Sequence, residues 1–78
     1  MKQTKALNFV VTGAANGIGM AIHQLIESHG HQVFMMDRQS MDSERFIYLD
    51  LMNVDSIEKA AESLPKSING LINCAGIA

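Results

Sequence analysis

The chain has 78 residues, enough for one domain at most, and 47% of them are hydrophobic while 18% are charged. This balance is typical of a folded domain with a buried α/β core and argues against a disordered chain. The formal net charge is −2 and no basic cluster is present, which argues against nucleic acid or an anionic membrane surface as a partner.

No apolar run approaches the ~20 residues that a membrane-spanning helix needs. The first residues carry positive charge, but no signal-peptide core follows them. The single cysteine, Cys74, has no partner for an internal disulfide, which fits a reducing compartment. We therefore expect a cytoplasmic protein.

The first predicted element is a strand over 6–12, whose continuous apolar run at 9–11 is typical of a central strand covered on both faces. Gly13, Gly17 and Gly19 follow directly and lead into a helical pattern. Glycine permits a sharp turn and lets a ligand approach N–H groups that a side chain would cover. Because the first N–H groups of a helix lack internal partners and lie at the positive end of its dipole, this order predicts a diphosphate site.

The helical pattern predicts a first helix over 17–29, with Gly30 ending it in the left-handed conformation. Its predicted buried stripe recurs at steps of three and four residues. The members of this stripe are Ile18, Ile22, Leu25, Ile26 and His29.

Two further strands are predicted over 31–37 and 45–50, and they end on Asp37 and Asp50. The link between them, 38–44, has only seven residues, whereas a parallel crossover normally takes a dozen or more. Two explanations stay open at this point. Either the link crosses as an extended strap with a helical turn, or the third strand begins later than 45.

The second helix is predicted to follow Asn53, a favourable N-cap, with Asp55 in its first turn and Pro65 ending it. A last strand is predicted over 70–73. The expected apolar stripe of this helix comprises Val54, Ile57, Ala61 and Leu64. Right-handed crossovers then predict an α/β fold with a parallel sheet in the strand order 3-2-1-4.

Three segments carry a resemblance to a known family. Residues 12–19, Thr-Gly-Ala-Ala-Asn-Gly-Ile-Gly, resemble the T-G-x-x-x-G-x-G motif of the short-chain dehydrogenase/reductase family rather than the general G-x-G-x-x-G fingerprint. Residues 50–51 resemble the family's Asp and apolar neighbour after the third strand, and residues 73–76, Asn-Cys-Ala-Gly, resemble its N-N-A-G segment, from which Cys74 departs. The resemblance spans 9–78 and implies the amino-terminal NAD(P)-binding half of a three-layer, Rossmann-like fold.

The resemblance implies a nicotinamide dinucleotide as cofactor. Asp37 is expected to accept hydrogen bonds from the adenosine ribose, and its charge would repel a 2′-phosphate. Arg38 can stack on adenine or pair with such a phosphate, and Asn16 stands where members preferring NADP often carry a basic residue. Together these residues predict NAD, with NADP the less favoured cofactor.

The same resemblance assigns the other contacts. Asp50 is implied to accept from the adenine amino group, with Leu51 behind the base, and Asn73 to tie neighbouring strands or the glycine turn. Ala75 and Gly76 are small enough to let the backbone lie close to the cofactor ribose. The full set of residues expected to bind the cofactor is Gly13, Ala15, Asn16, Gly17, Ile18, Gly19, Asp37, Arg38, Asp50, Leu51, Asn73, Ala75 and Gly76.

Catalytic residues are not assigned. Hydride transfer to a carbonyl needs a positioned proton donor, which the family supplies with a Ser and a Tyr-x-x-x-Lys beyond the N-C-A-G segment. The only tyrosine is Tyr48, and Met52 stands four residues later. We therefore expect the NAD(H)-binding portion of an alcohol or carbonyl oxidoreductase, inactive as it stands. Our hypothesis is one partial domain over 1–78, truncated before the catalytic half, whose last strand leaves an open edge for that half or another chain.

Two other interpretations stay open. One is a non-catalytic nucleotide-binding or interaction module. The other keeps the fold but binds a ligand such as S-adenosylmethionine, against which the glycine spacing and the segment 73–76 argue. No metal site is expected, because His23, His29 and His31 share no helix face and have no Cys or acid at ligand spacing.

Overall fold

The computed structural model describes residues 6–75, which form a four-stranded parallel sheet with one helix packed on each face. In chain order the elements are β1 (Asn8–Thr12), α1 (Gly17–Ser28), β2 (Gln32–Asp37), β3 (Phe46–Tyr48), α2 (Val54–Ser63) and β4 (Gly70–Asn73). The strands lie side by side in the order β3-β2-β1-β4. This confirms the predicted three-layer, Rossmann-like α/β fold with the strand order 3-2-1-4.

The core lies on both faces of the two central strands, because successive side chains of a strand point to opposite faces. Val11 and Val33 are buried under α1, where Ile22 and Ile26 pack against them. Val10 is buried on the other face under α2. The continuous apolar run in β1 is thus buried on both sides, as its sequence predicts.

Several predicted elements extend beyond the bounds that the structure shows. β1 begins at Asn8 and β2 at Gln32, and α1 ends at Ser28 with His29 as its C-cap. β3 is the largest difference, since it covers only Phe46–Tyr48 of the predicted 45–50. The left-handed conformation predicted for Gly30 is present, with φ = 86°.

The link between β2 and β3 crosses the sheet without a helix. Its single turn is closed by the N–H of Phe46, which donates to the carbonyl oxygen of Ser43 at 3.2 Å. Met41 packs against the core on the α1 face and anchors the link there. Both explanations for the short link therefore hold in part: it is a strap with one turn, and β3 begins one residue later than predicted.

Each predicted apolar stripe is only partly buried: Ile22 and Ile26 of α1 and Leu64 after α2 pack against the core, whereas the other members are exposed. In α2 the buried residues are Ser56 and Ala60, whereas Val54 of the predicted stripe is 70% exposed. In α1 the buried residues are Gly19 and His23. The exposed members of the two predicted stripes are Ile18, Leu25, His29, Val54, Ile57 and Ala61. Gly19 in α1 and Ser56 in α2 make the close backbone contacts described below from the buried side of each helix. Within residues 6–75 neither helix has the length and apolar character that a bilayer crossing requires.

Candidate functional site

A cleft of about 570 Å³ lies at the carboxyl ends of the parallel strands, where ligands bind in open α/β sheets. The predicted residues that line it are Gly13, Asn16, Gly17, Ile18, Gly19, Asp37, Arg38, Asp50, Leu51 and Ala75. Ala15 is buried outside the lining, and Asn73 is exposed beside it. Gly76 lies outside the described residues. The fold thus brings most of the predicted residues to one cavity, although they come from four segments of the chain.

The three motif glycines are needed for two different structural reasons. A Cβ on Gly13 would lie 2.8 Å from the backbone nitrogen of Ala75, and one on Gly19 would collide with the carbonyl oxygen of Gly13. Both positions therefore require glycine for backbone packing. Gly17 has φ = 59°, but a Cβ there would meet no atom within 4 Å. Gly17 therefore faces open space in the cleft, as a glycine beside a ligand would.

The N-terminus of α1 faces this cleft with its N–H groups uncapped. Asn16, the N-cap, makes no side-chain capping hydrogen bond, and the first turn contains no acidic residue. Within the described part of the chain, the first helical N–H with a backbone acceptor is that of Met20, which donates to the carbonyl oxygen of Asn16 at 3.2 Å. The preceding N–H groups and the helix dipole together form a site suited to an anion.

Asp37 connects the glycine turn to the segment after β2. One carboxylate oxygen accepts the N–H of Ala15 at 3.0 Å, and the other accepts the N–H of Gln39 at 2.8 Å. The side chain of Gln39 in turn accepts from the Asn16 amide at 3.2 Å. Each carboxylate oxygen keeps a further lone pair for a ligand hydroxyl. Asp37 therefore supports the glycine turn and retains acceptor capacity on both of its oxygens.

Thr12 joins the ends of β1 and β4, a role that sequence reasoning did not assign. Its hydroxyl donates to the Asn73 side chain at 2.6 Å and accepts the N–H of Ala75 at 3.1 Å. Asn73 thus ties neighbouring strands, as expected from the sequence. Thr12 is buried, and the contact holds Ala75 against Gly13. The sequence could have indicated a role for Thr12, because Thr12 occupies the first position of the T-G-x-x-x-G-x-G motif.

The other end of the cleft is apolar with one carboxylate. Leu51 and Met52 are exposed large apolar residues, and Met52 is 75% exposed. Asp50 lies beside them, and its Oδ1 accepts the N–H of Met52 at 3.0 Å. A flat base bearing an amino group matches this combination of an apolar wall and an acceptor.

Five lining residues were missed as site residues, and each adjoins a predicted one in the chain. They are Met36, Gln39, Leu49, Met52 and Cys74. Cys74, which departs from the family's second Asn, is a half-buried free thiol that lines the cleft. Within residues 6–75 no three His, Cys, Asp or Glu side chains come together as a metal site would require.

The parallel sheet, the glycine turn and the acid after β2 define a dinucleotide-binding domain of the Rossmann type. The model of the NAD dependent epimerase/dehydratase family matches residues 9–78, so the chain belongs to this family, and the relatives below confirm the short-chain dehydrogenase/reductase resemblance.

Two curated relatives and one solved structure are similar to most of the chain. A coniferyl-alcohol dehydrogenase from a Pseudomonas species is 40% identical over 70 residues, which cover 87% of this chain and 28% of the relative. A short-chain dehydrogenase/reductase from Neocamarosporium betae is 32% identical over an alignment of 89 positions, which covers 88% of this chain and 26% of that relative. The crystal structure of the 3-alpha-hydroxysteroid dehydrogenase from Pseudomonas sp. B-0831 complexed with NADH is 32% identical with a TM-score of 0.76, covering 90% of this chain and 31% of that one. The chain therefore spans between a quarter and a third of the length of these proteins.

Proposed function

We propose that the chain is the NAD(H)-binding part of a short-chain oxidoreductase that acts on an alcohol or a carbonyl. One observation carries this proposal. The open side of Gly17, the uncapped start of α1 and the Asp37 carboxylate line the same cleft. An anion site beside acceptors for ribose hydroxyls is what the adenosine diphosphate half of a dinucleotide requires.

The described residues fit each part of that half. The N–H groups at the start of α1 would bind the diphosphate, and the absent side chain of Gly17 leaves room for it. Asp37 would accept from the adenosine ribose. Leu51 would pack on the adenine, with Asp50 accepting from its amino group. Ala75 lines the cleft next to Gly13, where a bulkier residue would narrow the path of the cofactor.

We propose NAD(H) rather than NADP(H) as the cofactor. In this proposal the Asp37 carboxylate would lie beside the adenosine ribose, so its negative charge would repel a 2′-phosphate there. Asn16 is hydrogen-bonded to Gln39 and brings no positive charge to the glycine turn. Arg38 lines the cleft and is exposed, so its guanidinium is available to stack on the base.

The bound dinucleotide would supply or accept the hydride. The described residues would bind and orient its adenosine half, and none of them is assigned to proton transfer. We propose that 1–78 is part of a larger dinucleotide-binding domain whose other residues donate the proton. The free edge of β4, which pairs only with β1 among the described strands, is where that remainder or another chain would add.

Calorimetric titration of the purified chain with NADH and NADPH tests the proposal. We expect NADH to bind and NADPH to bind more weakly. A chain that is folded by circular dichroism but binds neither ligand at millimolar concentration would overturn the assignment.

The Asp37→Ala variant tests the cofactor preference. It removes both the repelling charge and the contact with the Ala15 N–H, so NADH affinity should fall while the affinity ratio of NADPH to NADH rises about tenfold. Asp42→Ala is the matched control, because Asp42 is an aspartate of the link that follows Asp37 and is exposed outside the cleft. An equal change of the ratio in both variants would assign the preference to net charge instead of the Asp37 site.

A further inference from the structure

The hydroxyl of Ser56 lies between α2 and the turn that follows β3. Ser56 is only 6% exposed. Its Oγ accepts the N–H of Asp50 at 2.9 Å, and it lies 2.9 Å from the carbonyl oxygens of Asp50 and Asn53, the two acceptors for its proton. The Ser56 N–H donates to the side chain of Asn53 at 3.1 Å. Both the backbone and the side chain of Ser56 are therefore fixed.

This contact replaces strand pairing at the edge of the cleft. The parallel ladder between β2 and β3 ends with the N–H of Leu49, which donates to the carbonyl oxygen of Asp37 at 3.0 Å. Beyond it, the N–H of Asp50 has the hydroxyl of Ser56 as its acceptor. The position of the Asp50 backbone thus depends on a buried hydroxyl carried by a helix.

The position of the Asp50 carboxylate depends on the position of the Asp50 backbone. Its Oδ1 accepts the N–H of Met52 at 3.0 Å, so the carboxylate is oriented by the turn that Ser56 holds. Asp50, Leu51 and Met52 all line the cleft. A shift of this turn would move the carboxylate and the apolar wall together.

We propose that Ser56 is a positioning residue for base recognition, acting through Asp50 without touching the ligand. This inference rests on the proposed function. A carboxylate only accepts hydrogen bonds, so it favours a base with an exocyclic amino group and disfavours one with an oxo group at the same position. Ser56 therefore contributes to the selection of an adenine dinucleotide over a hypoxanthine dinucleotide.

The test compares the Kd of NADH with that of its hypoxanthine analogue, in which the amino group of the base is replaced by oxygen. We expect the wild-type chain to bind NADH about tenfold more tightly, as the loss of a hydrogen bond to a charged acceptor predicts. In Ser56→Ala this ratio should approach one. In Asp50→Ala it should also approach one, and adding Ser56→Ala to that variant should change it no further, because both residues act at one point.

Ser63→Ala is the matched control. Ser63 lies on the same helix, and its hydroxyl donates to the carbonyl oxygen of Lys59 at 2.9 Å, but it is exposed and outside the cleft. Its variant should keep the wild-type ratio. Ser56→Thr retains the hydroxyl and should also keep the ratio, which provides a second variant if Ser56→Ala does not fold.

The outcomes separate the two proposals. Absence of NADH binding by the folded wild-type chain overturns the proposed function. If NADH binds but the wild-type chain does not discriminate the analogue, or if folded Ser56→Ala discriminates as wild type does, the role of Ser56 is wrong while the proposed function stands. A folded Ser56→Thr variant in which the ratio of the two Kd values approaches one also contradicts the proposal.

Discussion

Replacing Gly17 by alanine tests whether the open space beside this residue belongs to a ligand. Gly17 has φ = 59°, and an L-residue in this left-handed conformation costs about 1–2 kcal/mol. A Cβ there would meet no protein atom within 4 Å, so no steric cost adds to this strain. We therefore expect Gly17→Ala to fold, with a free energy of unfolding that is lower by about 1–2 kcal/mol.

The effect on binding should be separate from this loss of stability. The added methyl group would stand beside the uncapped N–H groups at the start of α1, where we place the diphosphate. We expect the affinity for NADH to fall by about tenfold or more, which corresponds to about 1.4 kcal/mol of binding free energy. Calorimetric titration measures this change, and urea denaturation measures the stability of the same preparation.

Gly30 provides a closely matched control. It also has a left-handed backbone, with φ = 86°, and a Cβ there would also meet no atom within 4 Å. It follows the opposite end of α1 and does not line the cleft. Gly30→Ala should lose a similar amount of stability and keep its affinity for NADH. Unchanged affinity in Gly17→Ala, or an equal loss of affinity in both variants, would refute the placement of the diphosphate.

Three further predictions concern stability, each measured by urea denaturation. Gly19→Ala should lower the free energy of unfolding by about 3 kcal/mol, because its Cβ would lie 2.7 Å from the carbonyl carbon of Gly13. A loss of stability smaller than that of Gly30→Ala would show that this close approach to the Gly13 backbone is wrong. Thr12→Val should cost about 2 kcal/mol, because it removes the hydrogen bonds to Asn73 and Ala75, and a neutral effect would show that these bonds contribute nothing. His23→Leu should raise the free energy of unfolding by about 1 kcal/mol, because the buried Nε2 of His23 has no hydrogen-bond partner among the described residues. The substitution also removes the 3.3 Å contact of Nδ1 with Glu27 Oε1, an i,i+4 pair worth only about 0.2–0.5 kcal/mol; a loss of stability would mean that this contact outweighs the unpaired Nε2.

The strand order and the general place of the site were predictable from local patterns. The apolar runs and the glycine turn are short-range features, and the handedness of crossovers converts their order into the sheet order 3-2-1-4. The predicted bounds of the last strand, Gly70–Asn73, agree with the structure. Asp37 and Asp50 follow apolar runs, so their arrival at the carboxyl edge of a parallel sheet follows from the sequence.

The rotation of the helices was only partly predictable in this way, since Ile22, Ile26 and Leu64 pack against the core as expected while other members of the stripes do not. Apolar periodicity assigned Ile18 and Val54 to buried stripes, yet they are 75% and 70% exposed. The structure instead buries Gly19 and Ser56, because a glycine and a small hydroxyl residue permit contacts with the backbone that larger apolar residues would prevent. Such contacts join distant segments and leave no periodic signal.

The sequence by itself determined the order of elements, the glycine turn and the acids at the strand ends, because each depends on residues close together in the chain. Only the tertiary structure decided which motif glycine has open space beside it, how Thr12 joins two strands, and that Ser56 holds Asp50. These features depend on distances between atoms far apart in the chain, such as the 2.6 Å from Thr12 to Asn73. Packing determines those distances, and the one-dimensional pattern of residue types does not contain them.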